Sequence, residues 1–199
     1  MTDKLEQVQA LYEADKYEDA VDLIENILNE DEAYRDSFFL NGKLLNEQSL
    51  SALYLKGKIY YECEDYSEAE EALSEIPESH HNYYDAVFMR SKMFFDTGDY
   101  EESLELYESI PQSSDKYFEA QHGIALVHCA QDDHQTALDV LNSIPLDDNN
   151  FGNIINSIAH IYRDLGNKEK EMEYYDKVPV TDSAYGMVLP MHFRCLCLR

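Results

Sequence analysis

The sequence predicts an all-α protein built as a solenoid of helical hairpins. Three observations predict it. Four of the five prolines follow a β-branched apolar residue at one interval, in Ile76-Pro77, Ile110-Pro111, Ile144-Pro145 and Val178-Pro179, each 34 residues after the last. An aromatic residue follows each at a fixed offset: Tyr83, Tyr117, Phe151 and Tyr185. Between these marks the apolar residues recur at helical spacing. A fixed period of this length is the mark of stacked repeats, and 34 is a helix–turn–helix value.

Residues 2–34 read as a first hairpin. Leu5, Val8, Leu11 and Tyr12 share one face; Asp15-Lys16 marks a turn; Tyr17, Ala20, Val21, Ile24, Ile27 and Leu28 line a second face. These are i, i+3, i+4, i+7 spacings. The mid-helix anchors Ala20, Ala69, Ser103, Ala137 and Glu171 stand 49, 34, 34 and 34 residues apart. About fifteen extra residues therefore separate the first two repeats, as the difference of 49 and 34 shows. Residues 35–49 form that insertion. Phe38, Phe39, Leu40, Leu44 and Leu45 make it too apolar for a free loop, and Asn41-Gly42 is a turn signal. It reads as an extended helix end or a short extra helix packed on the solenoid, or else as an exposed contact element for a partner.

Residues 50–180 hold four hairpins in one register. Leu53, Gly57, Tyr60 and Tyr61 mark the first helix of repeat two, and Tyr66, Ala69, Leu73 and Ile76 its second. Repeats three to five follow with Ser91, Phe94 and Ser103, with Ala125 and Ala137, and with Ala159, Tyr162 and Glu171. Small residues at fixed sites let helix axes approach. Each proline ends a second helix, because it lacks an N–H and disfavours α geometry in the residue before it. Residues 181–199 keep register to Tyr185; Pro190 then falls where a sixth first helix is expected, so this end reads as an incomplete repeat or irregular tail. Solenoid ends normally carry a polar outer face, which makes the C-terminal end a candidate assembly surface.

Composition sets the functional bounds. Asp and Glu number 41 against 15 Lys and Arg, a net charge of −26. That disfavours nucleic acid and anionic membrane as partners, since both call for a basic footprint. MTDKLEQ has no basic, apolar leader pattern, and no long apolar run indicates a membrane span. Cys63, Cys129, Cys195 and Cys197 form no CxxC pair and read as reduced thiols of a cytoplasmic or other intracellular protein.

The pattern resembles the tetratricopeptide repeat (TPR) family over residues 2–180. The family's small–Tyr–Gly–Tyr–Ala beat is matched by Gly57, Tyr60, Tyr66 and Ala69, and in part by Ser91, Phe94, Gly98, Tyr100 and Ser103, and by Ala159, Tyr162 and Gly166. The sequence departs from it at Leu53, Val87, Gln121 and Ile155, where a large aromatic is usual, and at Glu171, where Ala is usual. The proline comes about four residues early, which implies shorter second helices. The resemblance implies a right-handed superhelical solenoid with a concave groove lined by first helices, and a non-catalytic scaffold or adaptor that binds a protein or peptide partner.

In that register the groove-facing residues are Tyr54, Lys58 and Tyr61; Phe88, Lys92 and Phe95; His122, Leu126 and Cys129; and Asn156, His160 and Arg163. Aromatics interleaved with cations are common in binding hot spots. They fit a segment bearing acidic and apolar groups; the competing reading packs the aromatics between helices and leaves the lysines to relieve acidic repulsion. The carboxylate clamp of one TPR subset is not matched by Leu5 and Gln9, nor by Tyr54 and Lys58.

No catalytic constellation, cofactor motif or metal site is expected. His80-His81 reads as a solvated loop pair, and His122 and His128 do not share a helix face. Asp147-Asp148-Asn149-Asn150 reads as a turn, since it lacks the glycine and distal Glu of a calcium loop. Glu70-Glu71 and Glu101-Glu102 read as a solvated convex face. Besides a groove-binding adaptor, two other roles fit: a structural subunit docking through its C-terminal end, and an acidic mimic that blocks a nucleic-acid-binding surface.

Overall fold

The computed structural model describes residues 2–36, 47–145 and 151–177. The centre of the expected insertion, the Asp147–Asn150 run, Val178-Pro179, Tyr185 and the tail 181–199 lie outside the described residues. Among the described residues every regular element is an α-helix.

The chain divides into two compact units, residues 1–116 and 117–199. The first contains α1 (Thr2–Glu13), α2 (Tyr17–Asp36), α3 (Glu47–Glu62), α4 (Tyr66–Ser74), α5 (Tyr83–Thr97) and α6 (Tyr100–Glu108). Consecutive helices pair as hairpins, α1 lies beside α3, and α3 beside α5. The second unit contains α7 (Tyr117–Ala130), α8 (His134–Ser143), α9 (Phe151–Asp164) and α10 (Lys168–Tyr175), again paired in order. First helices α5, α7 and α9 begin on the periodic aromatics Tyr83, Tyr117 and Phe151. Helix α2 continues to Asp36 and α3 starts at Glu47, so both ends of the 35–49 segment are helical. Glu47 in the first turn of α3 suits the positive end of the helix dipole.

The hairpin turns share one construction. A left-handed residue occurs at Asp15, Glu64, Gly98, Asp132 and Gly166, with φ of 55°, 59°, 87°, 62° and 71°. Two backbone bonds close each turn. In the third, Gly98 N–H donates to Phe95 O (3.1 Å) and Asp99 N–H to Phe94 O (2.8 Å). The same pair recurs in the others, for example Asp133 N–H to His128 O (2.9 Å) and Asn167 N–H to Tyr162 O (2.8 Å). This is a Schellman closure, and it satisfies carbonyls that the helix end would leave unpaired.

The second helices α4, α6, α8 and α10 are 9, 9, 10 and 8 residues long. Ile76, Ile110 and Ile144 are buried just past the ends of α4, α6 and α8, and the proline that follows each stops the helix. The small sites sit where helices touch. Gly57 faces Leu73 so closely that an added Cβ would stand 2.5 Å from Leu73 Cδ2. In the next hairpin both facing residues are serine: Ser103 Oγ donates to Ser91 O (2.9 Å), and Ser91 Oγ donates to Val87 O (2.8 Å), so two buried hydroxyls are satisfied. Glu171 is 9% exposed at the corresponding site of α10.

Candidate protein-interaction face

In the unit spanning residues 1–116, the expected face comes from α3 and α5, with an unexpected contribution from α1. Lys58 Nζ lies 4.7 Å from the centre of the Tyr12 ring and 5.9 Å from that of Tyr54. Lys92 Nζ lies 5.0 Å from the centre of the Tyr61 ring. Ammonium groups at these distances are attracted to the negative ring face. Tyr12 and Tyr61 occupy the same repeat position, as their 49-residue separation shows, and so do Lys58 and Lys92, 34 apart. One contact is thus made twice, from α3 to α1 and from α5 to α3.

These two lysines differ from three other cations of the unit. Lys4, Lys56 and Arg90 are held by Glu30, Glu25 and Glu70, at 2.6, 2.5 and 2.6 Å. Among the described residues, no carboxylate oxygen lies within ion-pair distance of Lys58 or Lys92. In a chain of net charge −26, two cations placed on tyrosine rings rather than on acids are conspicuous.

The aromatics are half-buried. Burial pushes the Tyr54 phenol up to about 12. Burial and the Tyr61 Oη–H bond to Asp96 Oδ2 (2.9 Å) hold the Tyr61 phenol well above its ordinary range. Both stay neutral donors. Phe88 meets Tyr107 edge-on at 5.6 Å and Phe95 meets Tyr100 at 5.8 Å. The aromatics therefore pack within the unit and still present part of their surface.

The unit spanning residues 117–199 holds the other expected residues. His122 Nε2 is 2.8 Å from Ser157 Oγ, which links α7 to α9, and burial lowers its proton affinity. Leu126 is an exposed apolar side chain at 36%. Asn156 Oδ1 is buried with no hydrogen-bond partner. His160 meets Tyr175 edge-on at 6.5 Å; burial, then the Arg163 charge, lowers its proton affinity. Arg163 is exposed near the end of α9. Burial first, then Asp164, raises the Cys129 thiol to about 11, which keeps it an unreactive thiol.

Two expectations are corrected. The pair His80-His81 is solvated only at His81: the His80 side chain is fully buried, and Glu47 Oε1 lies 3.4 Å from His80 Nε2 and 2.7 Å from His81 Nδ1. Glu70 is not part of a solvated acidic face. It is half-buried and takes a bidentate pair from Arg90, whose Nε and Nη2 approach it at 2.8 and 2.6 Å. In both cases the antiparallel hairpin, or the helix that follows it, returns distant residues to one place.

The chain matches the family described as tetratricopeptide repeat protein 21 ARM repeat over residues 4–131. It belongs to that family. A further tetratricopeptide repeat match covers residues 153–178. No curated protein sequence matches the chain. Solved TPR structures share its fold. Pseudomonas aeruginosa PilF aligns with TM-score 0.70 at 12% identity, over 99% of this chain and 80% of that one. MamA aligns with TM-score 0.64 at 16% identity, over 85% and 91%. YrrB, described as a TPR protein with an unusual peptide-binding site, aligns with TM-score 0.62 at 15% identity, over 98% and 89%. The fold is therefore an all-α TPR solenoid. Such repeats generally mediate protein–protein interaction without catalysis. Among the described residues of this TPR chain, no helix is long and apolar enough to cross a membrane.

Sequence reasoning missed Tyr12. Its register position equals that of Tyr61, so subtracting 49 from each groove position of repeat two would have found it.

Proposed function

We propose that this chain is a non-catalytic scaffold that holds an acidic, apolar partner segment. The contact face is that of α1, α3 and α5 in the unit spanning residues 1–116. Lys58 and Lys92 meet the acidic groups of the segment. Tyr12, Tyr54, Tyr61, Phe88 and Phe95 offer their exposed edges to its apolar groups. In the other unit, His122, Leu126, Asn156, His160 and Arg163 form a second, mixed contact set.

One observation carries the reading: Lys58 and Lys92 rest on tyrosine rings with no carboxylate partner among the described residues. A cation buttressed in this way loses little rotamer freedom on binding, and so spends less of its pairing energy on ordering. The peptide site described for YrrB, a structure of the same fold, agrees with a peptide as the class of partner.

The test is an array of synthetic peptides alternating acidic and apolar residues, with fluorescence anisotropy on the best binder. The double variant Lys58→Glu/Lys92→Glu is expected to bind it tenfold or more weakly, through two lost ion pairs and added repulsion. Undiminished affinity in a variant with unchanged circular dichroism refutes the reading.

A further inference from the structure

We propose that Glu47, His80 and His81 form a binding site for a divalent transition-metal ion of the zinc type. The site would tie the first turn of α3 to the loop that follows α4.

The three residues reach one place because α3 and α4 form an antiparallel hairpin. The loop after α4 returns to the start of α3, and a turn closed by His80 N–H to Pro77 O (2.9 Å) sets the two histidines there. One ligand atom from each residue lies within 4.8 Å of the other two. Two imidazole nitrogens and one carboxylate oxygen are the donor set that zinc accepts, with a fourth position left to water or a partner.

The separations fit an ion. Ligands about 2.0–2.1 Å from a tetrahedral centre stand about 3.3 Å apart. His80 Nε2 is 3.4 Å from Glu47 Oε1. His81 Nδ1 is 2.7 Å from the same oxygen, a hydrogen bond that must open by roughly half an ångström to admit an ion. Both partners of that bond are free to move, since the His81 and Glu47 side chains are 62% and 71% exposed.

A second observation singles out this cluster from ordinary surface groups. His80 Nε2 is fully buried and has no hydrogen-bond partner, although a carboxylate oxygen stands beside it. Burial also lowers the proton affinity of this ring, and the neutral imidazole is the form that ligates. Asn82 N–H donates to His80 Nδ1 at 3.2 Å, so without an ion the ring proton sits on Nε2. Metal at Nε2 moves that proton to Nδ1 and frees the Asn82 amide for water. The amide therefore reports on occupancy.

The experiment is calorimetric titration of the full chain with Zn²⁺ alone. Cys195→Ser/Cys197→Ser is the parent background, which removes the thiols of the C-terminal tail. One equivalent is expected to bind, with a shift of the Asn82 amide resonance. His81→Ala and Glu47→Gln, both exposed positions, are each expected to weaken binding tenfold or more with helicity unchanged. Absence of Zn²⁺ binding overturns the proposal. So does a Kd within tenfold of the parent in either variant. His80 lies in the core, so the two exposed ligands decide the outcome without risk to folding.

Discussion

Replacing Gly57 by alanine is expected to destabilise the protein by about 1–2 kcal/mol. An added Cβ would stand 2.5 Å from Leu73 Cδ2, closer than packed carbons tolerate. Leu73 cannot swing away, because it is 1% exposed inside the core between α3 and α4. Overpacking of this kind costs about 1–3 kcal/mol. Alanine returns up to about 1 kcal/mol of that, since glycine is the poorer helix former inside α3. The assay is urea unfolding followed by far-UV circular dichroism. A second background isolates the cause. In Leu73→Ala, which itself costs about 2–5 kcal/mol, the obstructing methyls are gone and Gly57→Ala should turn stabilising by up to about 1 kcal/mol. Equal effects of Gly57→Ala in both backgrounds would refute the close approach of α3 and α4 at this point.

Gly98→Ala and Gly166→Ala should each cost about 1 kcal/mol in urea unfolding. Both residues have positive φ, and a Cβ at either meets no atom within 4 Å, so only backbone strain contributes. Asn167→Ala removes an N-cap in which Oδ1 accepts from Lys170 N–H at 3.1 Å, and should cost about 1 kcal/mol. Asp65→Ala should stay within about 0.5 kcal/mol, because the Asp65 side chain makes no cap bond. Stability should fall on acidification between about pH 7 and 5. Burial depresses the folded-state proton affinities of His122 and His160, so the unfolded chain takes up protons first and their contribution disappears as pH falls. The variant His122→Gln/His160→Gln should show a shallower loss of urea midpoint over that range.

The helices and their pairing were legible because one period carries several signals at once. Ile-Pro, the following aromatic and the small anchor residue all repeat in step, and each reflects a local cause: a helix stop, a helix start and a close approach. The left-handed turn position repeats equally well, at Asp15, Glu64, Gly98, Asp132 and Gly166. It was not legible by residue type, since backbone bonds close the turn and only two of the five are glycine. The lysines of the candidate face were found from register. Tyr54 and Tyr61 were found in the same way; Tyr12 was not, because its contact with Lys58 joins neighbouring repeats and leaves no trace in local spacing. The Glu47–His80–His81 cluster was illegible for a related reason. Its members stand 33 and 34 residues apart, and only the hairpin brings them together. The 35–49 segment and the tail lie outside the described residues in whole or in large part, so their sequence-based reading stands as an expectation.

The Schellman closures bear on how an array like this can change length. Each hairpin is locked at its turn by two main-chain bonds of fixed ring size, and one residue more or less would break both. Among the described residues no such bond pair spans a connection between hairpins, and lengthening a loop there costs entropy that grows only slowly with its size. The single irregular spacing in the chain, 49 where the others are 34, is taken up largely by the far end of a second helix: α2 has 20 residues, where α4, α6, α8 and α10 have 9, 9, 10 and 8. The locked turn is thus the fixed part of the module, and the end of the hairpin away from that turn is where sequence is gained without retuning the turn itself.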